Sequence, residues 1–172
     1  MNSRQHRFDA MVGAVADDLH RYAVWLCRDP SLAEDLVQET LLRAWRFLDS
    51  LRDADAAKSW LLTTLRREHA RLYERKRFDY ADVDLGTLPD AVAGGPEADA
   101  ETAELRRRLF ELPADYREPL ALQALLGCSV REIAGIVGIS ESAVMTRLFR
   151  ARKQLMSAVG AEGSRPGREE RP

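Results

Sequence analysis

Apolar residues recur alternately four and three apart from Phe8 through Val12, Val15, Leu19 and Tyr22 to Leu26. A helix gathers residues at that spacing onto one stripe, and a strand does not. The same period returns in nearly every patterned segment. Gly-rich hairpin turns and alternating β-branched runs are missing, so the chain is expected to be all-α.

Punctuation divides the pattern. The first helix is expected from about Arg7 to Arg28, where Asp29-Pro30 stops it. Ser31-Leu-Ala-Glu34 has the form of a capping box, with Ser31 as N-cap. The second helix then reaches about Leu48, with Leu32, Leu36, Leu41, Ala44 and Leu48 turned inward. A polar loop from Asp49 to Asp55 leads to a third helix, about Ala57 to Arg77, with Leu61, Leu65 and Leu72 on one stripe.

From Asp79 to Leu105 there are eight acidic residues and no basic one, around Pro89, Gly94-Gly95 and Pro96. Such a segment buries too little apolar surface to order itself and reads as a flexible acidic linker. The expected organisation is two small helical domains, residues 1–78 and 98–159, joined by a linker at 79–97 and followed by a disordered tail at 160–172. In the second domain one helix leads to Leu112-Pro113, and another spans about Ala114 to Leu126 with Gly127 as its left-handed cap. Ser129-Val-Arg-Glu132 is a second capping box, opening a short helix to Val137. Gly138-Ile139 turns, and Ser140 caps a last helix to about Val159.

Composition removes several classes of function. The 172 residues are 45% hydrophobic, enough for a packed core. With 26 basic and 28 acidic residues the chain is no uniformly basic nucleic-acid coat, although local patches stay possible. Cys27 and Cys128 are far apart, and His6, His20 and His69 form no ligand cluster, so neither a disulfide framework nor a metal or cofactor is expected. No Ser/His/Asp grouping, phosphate loop or dinucleotide fingerprint is present, and no enzymatic activity is expected. Arg4 and Arg7 precede the apolar run Ala10 to Ala16, but that run is short and bracketed by Asp9 and Asp17-Asp18, unlike a signal peptide. No run approaches the roughly 18 residues that cross a bilayer, so a soluble, cytoplasmic protein without membrane insertion is expected.

Three constellations carry chemistry. In Val130 to Arg152, apolar Ile133, Val137, Ile139, Val144 and Leu148 surround small Ala134 and the turn glycine Gly138. This is the pattern of a helix-turn-helix, whose second helix enters the major groove. On that helix Val144, Leu148, Ala151 and Leu155 share an inward stripe, while Ser142, Thr146, Phe149, Arg150 and Lys153 fall opposite, flanked by Arg147 and Arg152. Hydroxyls and cations on an outward face suit base edges and phosphates; the alternative is a helical hairpin with a solvated cationic face. The stretch Arg66 to Arg77 holds six cations, of which Arg67, Arg71 and Arg75 are four apart, fit for a phosphate backbone or simply a solvated face. Asp35 and Glu39 form a like-charge pair at helical spacing, unfavourable in isolation and more plausible facing a basic partner. Leu42 and Trp45 could anchor that interface or belong to the core.

Glu34-Asp-Leu-Val-Gln-Glu-Thr-Leu-Leu-Arg-Ala-Trp45, Ser59-Trp60-Leu61-Leu62-Thr63, Leu112-Pro113 with Tyr116-Arg117, Val130-Arg-Glu-Ile-Ala134 and Val144 to Arg152 occur in that order. Together they resemble a bacterial RNA polymerase sigma factor of the compact extracytoplasmic-function type, which has only regions 2 and 4. The resemblance covers about residues 8–157. It implies a region 2 that docks on core polymerase through Glu34, Asp35, Gln38, Glu39, Leu42 and Arg43. It implies −10 contacts from Leu51, Arg52, Asp53, Lys58, Arg66, Arg67, Arg71 and Arg75, with the Asp49–Asp55 loop capturing a flipped base. It implies −35 contacts from Ser140, Ser142, Met145, Thr146, Arg147, Phe149, Arg150 and Lys153. The partners implied are the β′ clamp helices and β flap of core RNA polymerase, promoter DNA and an anti-sigma protein, for a chain acting as a monomer. Arg67 and Arg71 stand where relatives often have Asn and Asp, Leu51 where they often have an aromatic, and Met145 where many have a cation. The promoter sequences therefore do not transfer from a relative. The competing reading is a free-standing helix-turn-helix regulator with a helical effector domain, which the acidic second helix and the basic third helix disfavour.

Overall fold

The computed structural model describes residues 3–51, 53–79 and 100–162. Among these there are seven α-helices and no strand: α1 (Ser3–Cys27), α2 (Pro30–Phe47), α3 (Ala54–Asp79), α4 (Ala100–Glu111), α5 (Ala114–Leu126), α6 (Val130–Val137) and α7 (Glu141–Glu162), with a short 3-10 turn at Leu48–Ser50. The expected linker core and most of the expected tail lie outside the described residues. Helix α7 runs through Glu162, past the expected end at Val159.

The start of α2 differs from expectation. Asp29, and not Ser31, is the N-cap: its carboxylate accepts from the backbone N–H groups of Ser31 and Leu32 at 2.9 and 3.2 Å. The reason is Pro30. A residue before proline is pushed into extended backbone, and Asp29 takes φ −137° and ψ 115°, already the geometry of an N-cap. Proline at the first helical position also has no N–H to leave unsatisfied. Arg28 ends α1 in left-handed backbone at φ 54°. The second capping box forms as expected, with Ser129 and Glu132 bonding each other's backbone N–H at 3.2 and 2.7 Å. Gly127 and Gly138 take φ 63° and 80°, conformations that a side chain would strain.

Helices α1, α2 and α3 pack on one another, as do α5, α6 and α7. Ala33, Leu36, Ala44, Leu61 and Leu65 are fully buried in the first unit, and Leu122, Ile133, Val144 and Ala151 in the second. Leu32, Leu41 and Leu72 are only half-buried, whereas Thr40 and Leu62 are fully buried. Thr40 satisfies its buried hydroxyl by donating to the Leu36 carbonyl at 2.8 Å. The two units do not stand apart. Helix α3 packs against α6 and α1 against α5, so one buried apolar cluster runs from Val15 and Leu19 through Leu61 to Leu122, Ile136 and Leu148.

Candidate functional site

Three surfaces carry the candidate residues. On α2, Glu34, Asp35, Gln38, Glu39 and Leu42 are all exposed, with Leu42 at 56%. The acids and the apolar anchor thus share one open face. Beside it, Gln5, Phe8, Gln38, Leu41, Leu42 and Trp45 line a cleft of about 410 Å³. Trp45 does two things: it meets Phe8 edge-on at 5.1 Å, and it remains half-buried at the cleft. Arg4 lies over its ring at 5.0 Å. Arg43 is turned from this face toward α3. Its Nε sits 3.3 Å from Glu39 and 3.2 Å from Glu68, at angles that make ion pairs but no hydrogen bond.

The second surface lies around the start of α3. Arg7, Ala10, Met11, Leu48, Leu51 and Asp53 line a cleft of about 280 Å³, which brings Leu51 and Asp53 together. Asp53 also accepts from the Ala56 N–H at 3.3 Å, holding the first turn of α3. Arg4 and Arg7 donate to the Trp45 and Leu48 carbonyls at 2.8 and 3.2 Å, satisfying groups at the end of α2. Arg52 lies outside the described residues. Further along α3 the cations separate. Arg67, Arg71 and Arg75 are exposed, although Arg71 also pairs with Glu68 at 2.9 Å. Lys58 and Arg66 are engaged elsewhere: Lys58 with Asp18 of α1 at 2.7 Å, and Arg66 with Glu118 of α5 through two bonds of 2.7 and 3.1 Å. Each partner carboxylate holds its cation's pKa above the ordinary value. Neither engagement is legible from helical period, because the Arg66–Glu118 pair spans 52 positions.

Helix α7 forms the third surface and faces as its stripe requires. Val144, Leu148 and Ala151 are buried, while Ser142, Met145, Thr146, Phe149, Arg150 and Lys153 are exposed. The Ser140 hydroxyl accepts from the Ala143 N–H at 3.1 Å and starts the helix. Thr146 bonds back to the Ser142 carbonyl at 3.0 Å. Arg147 lies 3.5 Å from Asp115, and Arg150 donates to the Tyr116 hydroxyl at 3.3 Å. Arg152 donates to Gln123. Helix α5 thus steadies three cations of α7 from behind.

Half-buried His69 and buried Cys128 complete the electrostatics. Burial lowers the pKa of His69 on α3 below its ordinary 6.5. Burial, with Glu132 nearby, pushes the Cys128 thiol up to about 11. Among the described residues no His, Cys, Asp and Glu group could hold a metal ion, and no helix is long and apolar enough to cross a membrane.

Known proteins share this arrangement. Sigma-70 region 2 matches residues 11–78, and Sigma-70, region 4 matches residues 102–155. The chain is 33% identical to the ECF RNA polymerase sigma factor EcfG of Rhodopseudomonas palustris, over 88% of this chain and 84% of that one. It is 34% identical to the ECF RNA polymerase sigma factor SigM of Bacillus subtilis, over 81% and 86%. Among solved structures, the sigma factor RpoE of Bartonella quintana, in complex with the anti-sigma factor NepR, superposes with a TM-score of 0.75 at 30% identity, covering 89% of this chain and 96% of that one. CnrH in complex with the cytosolic domain of CnrY superposes with a TM-score of 0.65 at 26% identity, over 91% and 90%. With relatives of this identity along most of its length and both regions matched in order, the chain belongs to the ECF RNA polymerase sigma factors.

Proposed function

We propose that this sigma factor docks on core RNA polymerase through the exposed face of α2 and directs initiation at promoters whose −35 element it reads with α7. The observation that carries the docking face is the coincidence of exposed Asp35, Gln38, Glu39 and Leu42 beside the Phe8–Trp45 cleft. An acidic rim around an apolar notch fits a basic coiled coil carrying one apolar side chain, such as the β′ clamp helices. The cleft holding Leu51 and Asp53 is a size and place for a base turned out of the −10 strand, and exposed Arg67, Arg71 and Arg75 would track the strand's phosphates. On α7, Ser142, Thr146, Arg150 and Lys153 take base edges and phosphates, with Met145 and Phe149 giving apolar contact to thymine methyls. The role is one of binding and aiming, with the chemistry left to the polymerase in the cytoplasm. An anti-sigma partner, like the NepR found in complex with RpoE, would hold the chain inactive. Pull-down with core polymerase tests the docking face: the wild-type chain binds, and the double variant Asp35→Arg, Glu39→Arg does not. Equal capture of both would remove α2 as the docking face.

A further inference from the structure

A cleft of about 260 Å³ lies between the end of α1, the middle of α3 and the turn from α4 to α5. Trp25, Arg28, His69, Phe110, Arg117 and Glu118 line it. Phe110 is its centre. The Trp25 ring stacks on it at 6.4 Å, and the guanidinium carbons of Arg28 and Arg117 lie 3.7 and 5.4 Å from its centroid. Arg117 also donates to the Phe110 carbonyl at 2.9 Å. Of the lining residues Glu118 alone is acidic, and its carboxylate is taken. Its Oε1 accepts from the Tyr22 hydroxyl at 2.8 Å and from Arg66 Nε at 2.7 Å, and its Oε2 accepts from Arg66 Nη2 at 3.1 Å.

We propose that this cleft binds a small phosphate ester, with the phosphate at Arg28, Arg117 and the Trp25 indole N–H. The site goes beyond the sigma-factor reading and does not depend on polymerase docking. Three observations carry it. Two guanidiniums share one ring, and the charge of Arg28 adds to burial in lowering the pKa of Arg117. Like charges in a half-buried place repel, and an anion between them relieves that. The Trp25 indole Nε1 is buried and has no acceptor among the described residues, although a buried donor ordinarily has one. Arg28 holds left-handed backbone at φ 54°, the one positive φ outside glycine among the described residues. Glycine takes that conformation without strain, yet here it carries a side chain that reaches Phe110.

The donors select the ligand. A phosphate monoester offers three oxygens and close to two charges at neutral pH, whereas a carboxylate offers two oxygens and one charge. Arginine forks suit phosphate oxygens. The cleft, at about 260 Å³, is several times the roughly 30 Å³ share of one water, so a phosphate enters with a small organic body attached. Leu26, Ala70 and Ala114 give that body an apolar wall.

Phenyl phosphate is the probe, titrated calorimetrically into the free full chain at about 0.15 M salt, where distant charges are screened. The wild-type chain should bind it with a Kd at or below about 1 mM, and benzoate about tenfold more weakly. W25F keeps the ring and removes the N–H, and should weaken binding about tenfold. R28G removes a guanidinium while suiting the left-handed backbone, so it should weaken binding more than about tenfold with no loss in the thermal melt. R131A, a surface cation of α6 away from the cleft, should bind as wild type. No binding by the wild-type chain, or unchanged binding in W25F and R28G, would overturn the site. Equal weakening in R131A would also overturn it, because the probe would then be reading diffuse charge. Benzoate binding as tightly as phenyl phosphate would overturn the choice of phosphate. Displacement of the probe by a short oligothymidylate at equal phosphate concentration would assign the cleft to a nucleic-acid backbone and overturn the small ligand.

Discussion

Val144 and Arg150 lie on opposite sides of α7 and should answer truncation in opposite ways. Val144 is fully buried, so Val144→Ala should cost about 1–3 kcal/mol of stability through lost contacts and a residual cavity. A urea titration with circular dichroism checks it. Arg150 is exposed and its bond to the Tyr116 hydroxyl lies at the surface, so Arg150→Ala should leave the melt unchanged. It should weaken −35 recognition by the holoenzyme by about 1–3 kcal/mol, the worth of a good base or phosphate contact. His69 gives the fold a pH dependence. Its folded pKa lies below 6.5, so the unfolded chain takes up the proton first as pH falls. Stability is therefore intact above pH 6.5 and declines as pH falls below it toward the folded value. Melts at about pH 7.5 and about pH 5.5 should show the decline, and His69→Gln should flatten it. At this scale the facing of α7 was legible because a helix repeats its geometry locally. Glu118 and Tyr22 were not, because contacts across 52 and 96 positions leave no period to read.

Helix starts show how local rules compete. Ser31 and Ser129 both stand three residues before a Glu, yet only Ser129 forms the box. Asp29 wins at α2 because Pro30 has already bent its backbone into the capping geometry. Asp29→Ala should therefore destabilise the protein by about 0.5–2 kcal/mol, while exposed Ser31→Ala stays within about 0.5 kcal/mol, both read as shifts in the urea midpoint. The same helix carries the docking face. Reversing Asp35 and Glu39 to Arg sets a like charge beside half-buried Arg43, which keeps its pairing with Glu68, at a cost of only tenths of a kcal/mol for such a helical pair. Helicity should persist while core-polymerase binding is lost, since each paired and desolvated charge is worth about 1–3 kcal/mol at an interface. Loss of helicity in that variant would place the acids in the fold and not at the partner.

On the scale of the whole molecule, the seven helices and the order of their faces followed from period and punctuation. The shared core did not. An acidic spacer with Gly and Pro argues for independent halves, and it carries no information on whether Leu61 and Ile136 end in one apolar cluster. Charge is divided in the same way: the sequence is net +5 over residues 58–77, +3 over 129–157 and −8 over 79–105. With two cations held internally and an acidic segment able to screen the rest, the free chain should bind DNA weakly and lose that binding as salt rises. Specific binding should appear only with core polymerase. Run-off transcription on a randomised promoter pool tests this most directly. The predicted result is RNA of defined length only when core polymerase and this chain are both present, from templates that share −10 and −35 sequences. Nanomolar promoter binding by the chain alone, with no transcript when core polymerase is added, would contradict it.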